Sequence, residues 1–556
     1  MSSATPTPAP RVRRLPLAGV LRLGRPSDIW YKSAFSVVVS VAPPNLTLLA
    51  LGRLDLALYT MAGSLCAVYA HSRPYAARAR VLALVVLGMV AGLAVSLVTA
   101  SLTGSAIVLV TVGALLAAAQ KTLCDATRVG PPGPIVLTFI SSASLFAPQR
   151  LDQVPAHLAL AVAAGGWAWL VGMAPWLLRP HGPERRATAQ ALNAAAGYAE
   201  TDGTGDGATR ARAAAAAAVQ AAWQSLLTTG APSARTRRAL ERLVVRAEVA
   251  LAAPADTDPQ RLRAFARDLV GAGPVPRTDT PEDDDELLGV EVELASPPPP
   301  LWQRLGPLAP LAVRTALGCA LAGYASLALG IGRPYWALVT AASLYQANVA
   351  LTWSRGVQRV VGNLVGVLLF AALAPLAHLG PAAVVLCCLA LNFGAEALMT
   401  RNYWLGSVCV TPMALLITEF VGAQESAALI TERVVDTVVG ALVGFVAAVA
   451  VTNRRSRDRV EDALTAVERA RERAARLLAA PAPQPAALES ARRALAACLV
   501  DLRATVEAAS GEWWGRALPH ERVMWAERAG HRTLAATTRR RARHPDHRTR
   551  TEGVRR

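Results

Sequence analysis

The chain contains few charged residues, and almost none of its positive charges are lysines. Charged residues make up 17% of the 556, and Lys32 and Lys121 are the lysines among 57 Lys and Arg. Neither lysine occupies the lysine position of the pattern GxxxxGK[ST], whose glycine-rich loop holds nucleotide phosphates. The sequence therefore argues against a P-loop ATPase and leaves an ion gradient, the substrate's own gradient or a partner to drive any transport.

Cysteines are also few, and their spacing matches neither a metal site nor a disulfide framework. The seven are Cys66, Cys124, Cys319, Cys387, Cys388, Cys409 and Cys498. No Ser, His and Asp set stands at a recognisable catalytic spacing either. We therefore expect no metal, no cofactor and no enzymatic activity.

Apolar sequence, by contrast, is abundant. Hydrophobic residues make up 53% of the chain, and the mean hydropathy is +0.33. They form blocks of about 15 to 22 residues, close to the length that a helix needs to cross a bilayer. The net charge of +18 comes from arginines in connecting segments and in a tail without a nucleic-acid-binding motif. The composition predicts a polytopic membrane protein in contact with lipid, and no nucleic-acid partner.

Counting the apolar blocks predicts an all-α polytopic membrane protein with about twelve transmembrane helices in two sets of six. The first set lies near 29–50, 56–72, 81–100, 104–123, 133–147 and 157–178. The second set lies near 308–330, 334–350, 360–377, 380–399, 404–421 and 431–452.

The remaining sequence is polar and predicts helical regions outside the membrane. The predicted order is an N-terminal tail (1–28), the first membrane block (29–178), a helical linker (179–300), the second block (301–452), a helical hairpin region (453–535) and a basic disordered tail (536–556). The hairpin could pack on the linker of its own chain or mediate a homo-oligomer such as a dimer.

Basic residues alternate between the predicted loops and set the orientation. The basic segments hold Arg11, Arg13, Arg14, Arg22, Arg25, Arg73, Arg78, Arg80, Lys121 and Arg128. Since cytoplasmic loops carry excess positive charge, we expect both termini in the cytoplasm and the protein in the cell membrane.

The two halves also show weak internal similarity. An offset of 279 aligns Arg80 with Arg359, and an offset of 278 aligns Pro134 with Pro412. Because each half has an even number of predicted spans, the repeats would be parallel, with a site between them. The paired prolines would interrupt helices beside that site.

Several polar residues lie in or beside the predicted spans of the second half. Those between Arg333 and Gly366 are Trp336, Gln346, Asn348, Arg355 and Arg359. Two arginines four residues apart share a helix face and could attract a carboxylate at a cytoplasmic mouth. They could equally anchor the helix at the lipid headgroups.

Two further charges lie within predicted spans. Arg314 would be costly against lipid and should face protein or water. Asp436 is expected to hold Arg314 when no substrate is bound, although Arg433 offers it a local ion pair. Lys32 and Glu396 lie near span ends and are expected at the interface. For Gly362, Gly366, Gly440 and Gly444, close helix packing is the simpler interpretation.

In their order and spacing, these residues resemble the fusaric acid resistance protein-like family, which includes aromatic acid exporters. The resemblance rests on Tyr335 and Trp336, Arg355 and Arg359, Gly362 and Gly366, Asn402 and Tyr403, the segment RVVDTVVGALVG from Arg433, and the first-half segments SRPYAARAR and GPPGP. Asn363 departs from the threonine expected there. The resemblance implies a permease that exports aromatic or other hydrophobic weak acids, with Trp336 as a stacking partner.

A secondary exporter of small organic anions is thus the leading hypothesis. An organic-anion channel would use the same polar residues, and a non-transporting scaffold would use the polar helices to bind partners. A major-facilitator transporter would carry an acidic, glycine-rich loop where this chain has AHSRPYAARAR. In an exporter Arg314 and Asp436 should line a cavity, whereas a scaffold should bury them in closed pairs.

Overall fold

A computed structural model shows an all-helical protein, with no strand among the described residues. The described residues are 15, 17–24, 30–201, 205–228, 234–271, 273–276, 300–346, 348–377, 379–419, 426–451, 456–481, 484–511 and 518–542. The predictions for both chain ends, 1–14 and 543–556, and for the acidic and proline-rich linker, 277–299, lie outside these residues.

The first half consists of helices that follow the apolar blocks. They are α1 (Trp30–Ala50), α2 (Ala57–Ser64), α3 (Tyr75–Leu102), α4 (Ala106–Thr127), α5 (Ile135–Leu145), α6 (Val154–Met173) and the single turn α7 (Pro175–Leu178). Turns of 3₁₀ helix extend α2 at both ends, so its apolar segment is Leu54–Val68. Pro74 and Pro134 stand at the N-caps of α3 and α5, where a missing N–H costs little.

A set of polar helices follows the first half. It comprises α8 (Gly182–Ala199), α9 (Gly205–Thr228), α10 (Ala234–Ala252) and α11 (Pro259–Val270). Alanines and leucines on their inner faces form a separate buried core around Leu192, Trp223 and Leu243. The linker region therefore buries apolar surface of its own, as a soluble domain does.

The second half repeats the pattern of apolar helices. It comprises α12 (Leu301–Leu305), α13 (Ala309–Ala328), α14 (Tyr335–Leu344), α15 (Val349–Ala377), α16 (Pro381–Met399), α17 (Tyr403–Glu419) and α18 (Ser426–Ala450). Gly380 turns the chain into α16 with φ +116°, a conformation that side chains disfavour.

Three polar helices complete the described chain: α19 (Ser456–Ala479), α20 (Pro485–Ser510) and α21 (His520–Ala542). α19 and α20 pack as a hairpin, α20 also contacts α9, and α21 contacts α10. The hairpin thus packs on the linker helices of its own chain. We call the side of the membrane bundle that carries these helices the polar-helix face.

Eight apolar segments of the described chain are long enough to cross a bilayer. They are Trp30–Ala50, Tyr75–Leu102, Ala106–Thr127, Leu151–Leu178, Leu301–Ala328, Val349–Leu376, Pro381–Met399 and Ala428–Ala450. Four shorter apolar segments are Leu54–Val68, Ile135–Leu145, Tyr335–Leu344 and Tyr403–Ile417. The protein is therefore a multi-pass membrane protein with long and short helices in the order long, short, long, long, short, long in each half.

The two halves contact each other in a reciprocal way. α1, the first helix of its half, packs on α16, the fourth of the other half, while α13 packs on α4. The short helices α5 and α14 also meet. These contacts leave space between the halves along the short helices.

Small residues allow several helices of the second half to approach closely. A Cβ added at Gly440 would lie 2.4 Å from the Ala337 carbonyl oxygen, so α18 lies directly on α14. Gly444 meets Ala341 one turn further on, and Gly362 and Gly366 bring α15 against α17 in the same manner.

One predicted boundary is wrong and changes the position of two arginines. The ninth span was expected near 360–377, but α15 begins at Val349 and is 29 residues long. Arg355 and Arg359 therefore lie inside this helix, one and a half to three turns from its start. Polar residues are costly against lipid and so place the predicted start too late, but in the structure these two arginines face a cavity inside the protein.

Candidate functional site

A cavity of about 1050 Å³ lies between the two halves. Its walls come from α1 and α2, α4 and α5, and α14 to α18. Arg128 and Arg355 line it near the polar-helix face, and Pro148 and Arg333 line it near the opposite face. The cavity therefore extends through most of the thickness of the bundle, with a volume suited to a small organic ligand.

Arg433 is the most deeply buried charge on the cavity wall. It lies on α18, and 1% of its surface is exposed. Its guanidinium lies 3.9 Å from the centre of the Trp336 ring, but its Nε and Nη1 have no hydrogen-bond partner. No described carboxylate comes within ion-pair distance of it. A buried, unpaired guanidinium is costly, so an anion bound in the cavity would stabilise it.

A second cationic group lies on α15 and leads from the polar-helix face towards Arg433. Arg359 donates through Nη1 to the Tyr403 hydroxyl at 3.1 Å, while its buried Nε has no partner. Arg355 lies 3.9 Å above the ring of the same Tyr403. Because both arginines line the cavity, Tyr403 orients them without neutralising their charge.

Aromatic rings form the wall beside Arg433. Tyr335 and Trp336 pack together with ring centres 4.7 Å apart. Phe139 from the first half contacts Trp336 at 5.7 Å, and Phe146 contacts Tyr335 at 5.6 Å. All four residues line the cavity. The site thus combines a cation with a flat apolar surface contributed by both halves.

Most other charges around the cavity are paired. Lys121 forms a 2.9 Å ion pair with Asp125 near the polar-helix face. Arg333 forms a 2.7 Å ion pair with Glu432 near the opposite face. Glu396 on α16 lines the cavity as well and makes no ion pair with a described residue. The unpaired charges in this part of the wall are therefore mainly cationic.

Two candidate residues, Gln346 and Asn348, lie at the break between α14 and α15. Gln346 lines the cavity as expected, but Asn348 does not. Asn348 instead caps α15 by accepting from the Leu351 N–H at 2.8 Å, and it donates to the Glu507 carbonyl at 3.4 Å. Its prediction as a path residue is corrected, because the asparagine joins the membrane bundle to α20.

The prediction for Arg314 and Asp436 is also wrong. The Arg314 side chain donates to the Val451 carbonyl at 2.7 Å and is not among the cavity-lining residues. Asp436 accepts from the Ser326 hydroxyl at 2.6 Å, also outside the cavity wall. It pairs with neither Arg314 nor Arg433. The prediction failed because the rotation of α13 and α18 about their own axes decides which side chains face the cavity. The sequence does not reveal that rotation.

The two prolines occupy different positions in their halves. Pro134 lines the cavity just before α5 begins. Pro412 lies inside the continuous helix α17 and is not on the cavity wall. The expectation that both break helices beside the site is therefore wrong for Pro412. The breaks beside the short helices occur instead at 69–74 and at Tyr345 and Gln346.

Sequence reasoning missed Arg433 and Tyr403 as site residues. Both occur in segments that carry the family resemblance, but Arg433 was considered only as a partner for Asp436. The sequence did contain a signal, because Arg433 is a charged residue seven positions after the start of an apolar helix, and such residues often mark a functional site.

Among the described residues, no group of three His, Cys, Asp or Glu side chains could hold a metal ion.

Comparison with known proteins finds one family model and a curated relative. Residues 320–447 match the family model described as fusaric acid resistance protein-like. The chain is also 25% identical over 478 residues to a protein of Bacillus subtilis (strain 168) named "Uncharacterized membrane protein YvaC", covering 78% of this chain and 74% of that protein. No solved structure matches the chain. The matched range spans Trp336, Arg359, Tyr403 and Arg433.

Proposed function

We propose that this membrane protein, whose residues 320–447 belong to the fusaric acid resistance protein-like family, exports organic anions with an aromatic or other hydrophobic body. The observation that carries the proposal is the unpaired Arg433 in the cavity wall. A carboxylate would neutralise this guanidinium and satisfy its free N–H groups through charge-assisted hydrogen bonds.

The apolar body of the substrate is inferred from the wall around Arg433. A carboxylate at Arg433 brings the rest of the molecule against Trp336, Tyr335 and Phe139. An aromatic ring there gains stacking and burial of apolar surface, which a small inorganic anion lacks. The arginines Arg355 and Arg359 would first attract the anion at the polar-helix face.

We further propose that the membrane bundle has twelve spans in two parallel six-helix repeats. The shared order of long and short helices supports this, as do the reciprocal contacts of α1 with α16 and of α13 with α4. The polar-helix face would be cytoplasmic, with both termini on that side in the cell membrane. Export then proceeds from the basic mouth at Arg355 to the opposite face.

Reporter fusions test this orientation. Fusions at residues 240 and 500 should report a cytoplasmic location, because α10 and α20 lie on the polar-helix face. A fusion near residue 150, in the turn before α6, should report the external side. Reporter enzymes active on only one side of the membrane measure this directly. An external signal at 240 would contradict the two-by-six arrangement.

Transport itself is tested by counterflow in proteoliposomes. Vesicles that hold the full chain and unlabelled benzoate should take up labelled benzoate several-fold faster than protein-free vesicles. A pH near 7.5 keeps the acid ionised and limits leakage of the neutral form. This accelerated exchange requires a carrier that changes its facing side more readily with benzoate bound than with an empty site.

The same assay separates the alternatives. An organic-anion channel is the second candidate, because cavity residues approach both faces of the bundle. A channel would pass labelled benzoate without acceleration by benzoate on the other side. Absence of both flux and benzoate binding would contradict transport and favour a scaffold role for the polar helices.

A further inference from the structure

Glu396 is the acidic residue of the cavity that the transport proposal leaves without a role. It lies on α16, three residues before the last residue of that helix, and its partly exposed side chain lines the cavity. Asp125, the other acid on the wall, is paired with Lys121. Among the described residues Glu396 has neither an ion-pair nor a hydrogen-bond partner for its carboxylate. An intramembrane acid without a partner indicates a functional site.

The described elements packed around α16 place no cation within ion-pair distance of Glu396. The helices that pack on α16 are α1, α15 and α17, and the nearby turn after α2 contributes Tyr69. The described titratable or charged side chains of these elements are Tyr31, Lys32, Cys66, Tyr69, His71, Arg73, Arg355, Arg359, Tyr403 and Cys409, and Arg401 follows α16 in the turn to α17.

None of these groups forms an ion pair or a hydrogen bond with Glu396. Tyr69 donates its hydroxyl hydrogen to the Gly133 carbonyl at 2.7 Å. Arg355 and Arg359 both contact Tyr403. The charges that act on Lys32 are the like charges of Arg78, Arg179 and Arg186, and Glu396 is not among them. Glu396 is therefore exposed to the charge state of the cavity rather than being neutralised by a fixed partner.

We infer that Glu396 binds a proton more tightly when the cavity holds an organic anion, so that anion binding draws a proton from solvent and anion release returns it. The inference rests on the proposed function. Ionised Glu396 and the bound anion would place two negative charges in one cavity of low dielectric, which disfavours the ionised carboxylate. Protonation of Glu396 removes that repulsion, so the protonated protein binds the anion more tightly.

The size of the effect follows from Coulomb's law. If the bound anion and ionised Glu396 are roughly 12 Å apart, their repulsion at an effective dielectric constant of about 20 is about 1.4 kcal/mol. This energy corresponds to about a tenfold change in the affinity of the cavity for the anion. Linkage requires that the anion shift the proton equilibrium by the same factor. A weak acid that crosses the membrane as the neutral molecule releases protons inside the cell. The falling internal pH would then raise the affinity of the cavity for the anion.

Binding of benzenesulfonate to the purified full-length protein tests the inference. This probe stays ionised between pH 5 and 8, so any pH dependence of its binding comes from the protein. Titration calorimetry in buffers with different ionisation enthalpies measures both affinity and proton uptake. We expect affinity to fall about tenfold as pH rises across this range, with uptake that peaks at about half a proton per anion.

Two variants assign the proton. Glu396→Gln should bind benzenesulfonate with nearly constant, high affinity and without proton uptake, because the amide mimics the protonated acid. Asp125→Asn should keep the pH dependence, because Asp125 is paired with Lys121. The role of Glu396 would be overturned if Glu396→Gln still took up protons, or if the unmodified protein bound benzenesulfonate independently of pH. Either result would leave the proposed function standing. No binding of benzenesulfonate or benzoate at any pH would instead overturn the proposed function.

Discussion

Replacing Arg433 with methionine is expected to lower the affinity of the cavity for benzoate at least about thirtyfold. Loss of one partner from a buried charge pair costs roughly 2 to 5 kcal/mol, and the lower value corresponds to this factor. Calorimetry on the purified protein measures the affinity, and counterflow should fall with it. Arg433→Lys keeps the charge but not the planar guanidinium, so it should recover part of the binding.

The same variant should be at least as stable as the unmodified protein when no ligand is present. Removing the guanidinium forfeits its contact with Trp336, worth about 0.5 to 2 kcal/mol. It also removes an unpaired buried charge, whose effective penalty is several kcal/mol. The second effect is larger, so the midpoint of thermal unfolding of Arg433→Met should not fall. A structural role for Arg433 would predict a lower midpoint.

Arg314→Gln provides the matched control, because Arg314 is a buried arginine outside the cavity wall. It should lower stability through the lost hydrogen bonds to the Val451 carbonyl, while the folded protein keeps its affinity for benzoate. Normal benzoate binding by Arg433→Met, or lost binding in folded Arg314→Gln, would refute the assignment of the anion site to Arg433.

Replacing Arg492 with methionine should loosen the interface between the linker helices and the hairpin. Arg492 on α20 forms 2.5 Å ion pairs with Glu248 on α10 and with Glu489, and all three are buried. Burial alone would lower the pKa of Arg492, but the two glutamates outweigh burial and raise it above its ordinary value. The positive charge of Arg492 is therefore firmly retained.

The cost of this substitution can be bounded from the remaining contacts. Glu489 would keep its ion pair with Arg493, whereas Glu248 would keep, among the described residues, the hydrogen bond from the Trp223 indole at 2.8 Å. A broken buried pair costs about 3 to 5 kcal/mol, and the surviving contacts favour the lower value. Opening of α10 and α20 should therefore become on the order of 100-fold more frequent.

Amide hydrogen exchange along α10 and α20 measures this opening in the full-length protein. Arg503→Met is the control on the same helix, because Arg503 pairs with Glu507 and Glu527 at the partly exposed surface. Such surface pairs contribute about 0 to 1 kcal/mol, so exchange should increase less than about fivefold. Equal protection of α10 in Arg492→Met and the unmodified protein would show that the interface does not depend on this network.

The sequence by itself determined that this is an all-helical, multi-pass membrane protein with polar helical regions. Long apolar segments that cross a bilayer form helices, because lipid offers no hydrogen-bond partners to the backbone N–H and C=O groups. A helix pairs these groups within the segment itself. Apolar stripes along the otherwise polar segments of α19 and α20 likewise predicted the hairpin. The family resemblance was visible in the order of Trp336, Arg355, Arg359 and Tyr403, and the match over residues 320–447 confirms it.

The tertiary structure decided which polar residues share a cavity. Arg314 and Arg433 look alike in sequence, since each is one arginine in an apolar helix. Rotation of α13 turns Arg314 onto the Val451 carbonyl, while packing of Gly440 against Ala337 presses α18 onto α14 and places Arg433 over Trp336. Helix rotation depends on close packing with neighbours distant in sequence, and a hydropathy pattern records only whether a residue is apolar.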